Sequence, residues 1–507
     1  LGADVPAADA APLPDADALD TSSDGSDANT ADGADLDAHA DVMTPADAAD
    51  TSHGSAKPSV PPPKGTTGPT LSTGDAIKAI FGLVLLMALA WLGGHPKVQR
   101  LEQKLRISQV ITAGFPFVLI GLVSREGGLG ILSQPVLDAI RPLLPLGLGW
   151  IGFAVGFRFD VRRLDGMPKL TAETFVATTA LPYLFIVGAV AGLFYLTSDA
   201  HDPLVVIRDA TILATAGAMT AVSLPRFLAR QGTEPSAVDR ITCIIQLEEL
   251  AALLGVILIG AFFRPDQADL GWRLPSVGWV FVTLGIGTAL SGVIFAILGT
   301  IKGQAETLVV MLGSICFAAG MASFLRLSPV VVCFIAGAVL QNFPGPWKAQ
   351  VRSALARIER PVYLLFLIIA GALWRVDEWQ GWVLMLVFVV ARLIGRQGGV
   401  FFFARRHPGV LSAVEQRHLA ISPMGALSLA IIVTAQDLYS GPTVPWMVNA
   451  VIGGAILTEV VVQTFAFGGE RARTRTAQRM TRSFFPAYVD PPPRDETVPP
   501  PPVEEPR

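Results

Sequence analysis

The sequence predicts an all-α polytopic membrane protein: about 13 transmembrane helices in two inverted-topology repeats, with paired discontinuous crossing helices. Three observations predict it. Long apolar runs fill most of the chain, basic residues recur after every second run, and two stretches match each other at a fixed spacing.

The apolar runs fix the class. The 507 residues are 51% hydrophobic and 16% charged, where a soluble protein carries about 25% charged residues. The excess lies between about 76 and 468, in runs near the ~20 residues that a helix needs to cross ~30 Å of hydrocarbon. A soluble core would show shorter elements with a polar face. Spans fall at 76–93, 108–124, 143–157, 172–196, 205–229, 240–262, 275–299, 306–324, 328–341, 361–374, 381–403, 412–435 and 445–467. Cys243, Cys316 and Cys333 all sit inside apolar runs, as small apolar residues and not as a disulfide or metal set. His95, His201, His407 and His418 lie scattered near loops and read as surface residues. No metal ligands, resident cofactor or catalytic triad stand out, so the chain does not read as an enzyme. No basic aromatic surface points to nucleic acid.

Charge tests the span count. Lys97, Arg100, Lys104 and Arg106 follow span 1, and Arg158, Arg162, Arg163 and Lys169 follow span 3. Arg226, Arg230 and Arg240 follow span 5, Lys302 follows span 7, and Lys348, Arg352, Arg357 and Arg360 follow span 9. Arg405, Arg406 and Arg417 follow span 11, and five arginines from Arg471 to Arg482 follow span 13. The alternate loops have almost none. Positive charge concentrates on the cytoplasmic side, which puts the N-terminus outside and the C-terminus in the cytoplasm, in the cell (inner) membrane with lipid around it. Residues 1–74, with thirteen Asp and two Lys, and the acidic Pro-rich end read as disordered for want of apolar residues. The domains are then an acidic Asp/Ala-rich tail (1–74), a membrane domain (75–470) and a basic, then Pro-rich, disordered tail (471–507).

The repeat is written in matched residues. Arg106-Ile-Ser108-Gln-Val110 opens span 2, and Arg326-Leu-Ser328-Pro-Val330 opens span 9. Arg141-Pro142 leads span 3, and Arg360-Pro361 leads span 10. The offset is seven spans, an odd number, so the copies cross the membrane in opposite senses. Repeat one covers 76–263 and repeat two 304–468, joined by a linking helix at 275–299. Inverted repeats are a construction of secondary transporters. The same offset pairs span 5 with span 12, and each has a polar, Pro-containing interruption: Thr220, Ser223 and Pro225 in one, Ser422, Pro423 and Gly425 in the other. Non-helical backbone at membrane depth survives only where protein or a wet cavity satisfies it. Paired breaks in two halves mark a midplane binding site.

Charge inside the membrane marks the same region. Gln246, Glu248 and Glu249 interrupt the apolar run of span 6. A charge at the bilayer centre costs at least ~2.5 kcal/mol on insertion scales, so two adjacent acids need a reason. A carboxylate that holds either a proton or a small cation, but not both, is a sufficient basis for exchange. Arg392 and Arg396 share one face of span 11. Arg392 is deep, Arg396 is near enough to the end to snorkel, and one of them is expected to pair with the glutamates. Arginine stays protonated and carries no proton itself.

These segments resemble a known family. Ser108-Gln-Val-Ile-Thr-Ala-Gly114, Phe153-Ala-Val-Gly156-Phe-Arg-Phe-Asp160, Leu327-Ser-Pro-Val-Val-Val-Cys-Phe334-Ile-Ala-Gly337 and the stretch from Phe366 to Gly371 are similar to motifs of the monovalent cation:proton antiporter superfamily, the sodium/hydrogen exchanger domain. No nucleotide-binding domain is seen after the last span. The resemblance implies a homodimer with elevator-like movement that exchanges Na+ or K+ for protons by alternating access, without a cofactor. It places Glu248 and Glu249 where the family has Asp-Asp or Asn-Asp, with the second acid binding the ion. It also places the embedded base at Arg396, with Arg392 as a rival, and the unwound Thr near Thr220. Gln246 joins this ion and proton set. Departures are Glu for Asp and a first crossing that lacks the family's Thr-Asp/Ser-Pro tripeptide. The alternatives are a sodium-coupled organic anion symporter on a related fold, or a non-transporting membrane sensor.

Overall fold

A computed structural model describes residues 115–125, 141–197, 202–230, 233–265, 274–301 and 303–484, with Val84, Ala88 and Leu137. The acidic tail, nearly all of the first predicted span, the opening of the second with Ser108, and the Pro-rich end lie outside the described residues. Among those described, every regular element is a helix: α1 (Phe115–Val123), α2 (Leu143–Gly156), α3 (Val161–Asp165), α4 (Lys169–Thr197), α5 (Pro203–Gly217), α6 (Ser223–Arg230), α7 (Pro235–Phe262), α8 (Ser276–Leu298), α9 (Gln304–Phe324), α10 (Pro329–Asn342), α11 (Lys348–Leu373), α12 (Trp379–Arg406), α13 (Ala413–Ala420), α14 (Ala426–Leu438) and α15 (Thr443–Phe484). Helix α15 runs on through 471–484, which the sequence reading gave to a disordered tail. With its Arg, Ala and Gln residues that segment has good helix propensity and simply prolongs a formed helix.

Length sorts the helices. Six are long and apolar enough to cross a membrane: α4, α7, α8, α9, α12 and Thr443–Val462 of α15. Helices α2, α10 and α14 have 14, 14 and 13 residues. At 1.5 Å per residue each spans only about 20 Å, short of the ~30 Å hydrocarbon core. Such helices need protein around them, and most of their residues are buried. Long α4, α8 and α9 instead present Leu184, Phe185, Phe281, Val293, Phe317 and Phe324 outward, as a lipid-facing surface does.

Packing follows the repeat. The seven-span offset relates α1 to α10, α2 to α11 and α4 to α12. Helix α2 lies on α10, α1 on α11, and α4 on α12. The offset therefore exchanges the first two contacts and maps the third onto itself, as a two-fold axis requires. Glycines permit the approach. A side-chain carbon at Gly395 or Gly399 of α12 would stand 2.3 Å from Pro182 Cα or Ala177 O of α4. Small residues at such crossings replace the hydrophobic drive that lipid removes.

The crossing helices differ from expectation in one detail. Span 5 is α5 plus α6, and span 12 is α13 plus α14. The second interruption, 421–425, holds Ser422, Pro423 and Gly425 as expected. The first, 218–222, holds Thr220 but ends before Ser223, which opens α6 with Pro225 in its first turn. An N–H there has no intrahelical acceptor in any case, so Pro225 breaks nothing.

Candidate ion-exchange site

The breaks meet each other. Ala221 N donates to Pro423 O at 2.9 Å, and Thr220 Oγ1 bonds Ser422 Oγ at 3.2 Å. The unwinding leaves the last carbonyls of α5 and α13 without helix donors. Arg392 supplies them. Its Nε donates to Gly217 O at 2.7 Å, Nη1 to Ser422 O at 2.8 Å and Nη2 to Met219 O at 2.9 Å. One guanidinium thus caps the C-terminal ends of two half-helices, where backbone dipoles favour a cation.

One turn along α12, Arg396 has a different task. Its Nη2 lies 3.1 Å from both carboxylate oxygens of Glu248 and donates to Ala218 O at 2.5 Å. Both arginines are 0% exposed and Glu248 is 1% exposed. The sequence reading allowed Arg396 to snorkel. The structure buries it, because withdrawal would leave Glu248 an unpaired buried charge, worth about 3–5 kcal/mol. Arg396 Nε and Nη1 have no partner among the described residues, so this pair is incompletely satisfied.

Glu249 stands apart. It lies about 100° round α7 from Glu248 and is 7% exposed. Among the described residues no hydrogen bond or ion pair engages it. The expectation that both acids face an arginine holds for Glu248 alone. Gln246, one turn earlier, donates from Nε2 to Arg158 O at 3.4 Å, beside the turn after α2. A cavity bordered by Thr283, Arg326, Thr434 and Tyr439 lies elsewhere, and no candidate site residue lines it.

Sequence reasoning missed four polar features. Asp209 of α5 is buried, pairs with Arg208 Nε at 2.8 Å and accepts from Thr443 Oγ1 at 2.5 Å. Its signal was an Arg-Asp pair inside an apolar run. Arg240 and Glu415 join α7 to α13 at 3.2 Å. His418, read as a surface residue, is buried at 8% exposure, and His407 sits 2.8 Å from Glu173. No group that could hold a metal forms among the described residues.

Residues 98–468 match the family described as sodium/hydrogen exchanger, transmembrane. The chain belongs to this family. It is a multi-pass membrane transporter, and its class of activity is cation:proton antiport. Two solved structures have the same fold. That of the sodium proton antiporter MjNhaP1 from Methanocaldococcus jannaschii at pH 8 aligns with TM-score 0.55 and 17% identity, over 76% of this chain and 99% of that one. An electron-microscopy structure of MjNhaP1 aligns with TM-score 0.54 and 15% identity, over 77% and 96%. Comparison with curated protein sequences gives no match.

Proposed function

We propose that the chain exchanges Na+ or K+ for protons by alternating access, and that Glu249 is the carboxylate for which cation and proton compete. One observation carries this reading: of two adjacent buried acids, Glu248 is spent on Arg396, and Glu249 has no hydrogen-bond or ion-pair partner among the described residues. Thr220, in the break, and Gln246, one turn away, are the polar groups proposed to complete the ion's shell. Arg392 and Arg396 hold the break and Glu248 in place.

Coupling follows from charge. With Glu249 empty, the site carries an uncompensated carboxylate. Moving such a charge through the bilayer centre costs about 2.5–3.5 kcal/mol on insertion scales, roughly a hundredfold in rate. A bound proton or a bound monovalent cation cancels it equally well. Loaded forms therefore move and the empty form does not, which makes transport an exchange. Both cargoes carry one charge and Arg396 keeps Glu248 paired, so the stoichiometry is one for one and electroneutral. The resemblance adds a homodimer with elevator-like movement, and the loop charges add an outside N-terminus and a cytoplasmic C-terminus in the inner membrane. No cofactor enters the scheme.

Proteoliposomes with an imposed pH gradient test it. Sodium or potassium should collapse the gradient while choline does not. A gradient indifferent to every alkali cation would contradict the reading.

A further inference from the structure

The turn between α2 and α3 carries a second set of charges and touches α7 one turn from Glu249. Arg158 follows Phe157, the residue that caps α2. Its Nη2 pairs with Glu359 Oε1 on α11, and the two side chains are 35% and 44% exposed. Its carbonyl accepts from Gln246 Nε2. Gln246 precedes Glu249 by three residues, so both stand on one face of α7, a turn apart. Asn342, at the end of α10, fixes the turn: its Nδ2 donates to Phe159 O at 3.1 Å, and its Oδ1 accepts from Val161 N at 3.1 Å. Gln246 thus ties the turn that carries Arg158 to the face of α7 that carries Glu249.

We propose that Arg158 and Glu359 form an entry switch for the transported cation. Arg158 is a tethered cation that competes with the incoming ion for Glu249, and Glu359 holds it aside. The inference rests on the reading of Glu249 as the cation's carboxylate. Three physical points support it. Guanidinium never loses its proton, so the competitor is always present. A half-exposed ion pair is weak enough to exchange partners. The backbone of the turn is clamped from α7 and α10, whereas the side chain of Arg158 is held through its carboxylate partner, so losing Glu359 frees the guanidinium without freeing the turn.

The two partners then have opposite effects. Glu359→Gln releases Arg158 toward Glu249 and raises the cation KM on that face. Arg158→Gln removes the competitor and lowers it. The double variant follows Arg158→Gln, since without the guanidinium nothing remains for Glu359 to hold. A purely structural bridge predicts the reverse pattern, with both single variants impaired alike and no recovery in the double. Initial rates of sodium-driven proton flux (potassium-driven, if the wild type carries potassium) at one fixed pH decide between them. The full-length chain is used in inside-out membrane vesicles, with the cation added to the face that carries Arg158. For one unit charge near the site the shift is roughly threefold or more in each direction, with KM on the opposite face unchanged. Arg158→Lys, which keeps a tethered cation, stays nearer the wild type than Arg158→Gln. If Glu359→Gln fails to accumulate, Arg158→Gln and the double variant decide by the same criterion: both lower the KM. Single variants that shift KM in the same direction, or change only the maximal rate, overturn the proposal. A wild type without cation-driven flux would instead overturn the reading of Glu249.

Discussion

Arg392 and Arg396 are one turn apart on α12, equally buried, and have divided the work. Among the described residues Arg392 bonds only backbone and Ser422, while Arg396 carries the ion pair. Replacing Arg392 with Met, similar in length and apolar, leaves the carbonyls of Gly217, Met219 and Ser422 without their donor. Each costs about 1–3 kcal/mol, so the purified variant should melt many degrees lower in a thermal scan. An unchanged midpoint would mean that other groups can satisfy the breaks. Arg396 makes a different prediction. Arg396→Gln strands Glu248, at a cost of about 3–5 kcal/mol. Adding Glu248→Gln removes the stranded charge, so the double variant should be more stable than Arg396→Gln alone. Additive losses would show that Glu248 and Arg396 do not depend on each other.

At the scale of elements, the α4–α12 contact holds the crossing helices from behind. Gly395 faces Pro182, whereas Gly398 of the same helix faces open space. Gly395→Leu should cost about 1–3 kcal/mol through overpacking, and Gly398→Leu close to nothing. Equal thermal shifts would show that close helix approach is not what Gly395 provides. The helices themselves were largely legible, because run length and loop charge are local signals. Helices α4, α7, α8, α9 and α12 lie where the apolar runs end within a few residues. The start of α6 was not legible. Pro225 looks like a breaker in the sequence, but the break is made upstream, where the carbonyls of Gly217 and Met219 turn to Arg392, 175 and 173 residues away. No local signal records a tertiary cause of that kind. In the same way, two acids in an apolar run were visible at Glu248 and Glu249, but their division was not. It depends on the rotation of α7 against α12. Arg158 registered only as one loop charge among many, since its neighbours Glu359 and Gln246 are distant in sequence.

For the whole molecule, the proposal of a single exchangeable carboxylate fixes how transport should respond to its environment. Raising the proton concentration on the cation's side should raise the cation KM and leave the maximal rate unchanged, because proton and cation exclude one another from Glu249. An imposed membrane potential should leave the rate unchanged, because each half-cycle moves the same charge. A rate that follows the potential would point to a second titrating group and a stoichiometry above one for one. These responses all converge on one side chain, and Glu249→Gln isolates it. Measured in proteoliposomes as cation-driven proton flux, with thermal scans to establish that the variant is folded, Glu249→Gln should show none. Flux equal to that of the wild type in a folded Glu249→Gln protein would contradict the assignment of Glu249 as the shared site.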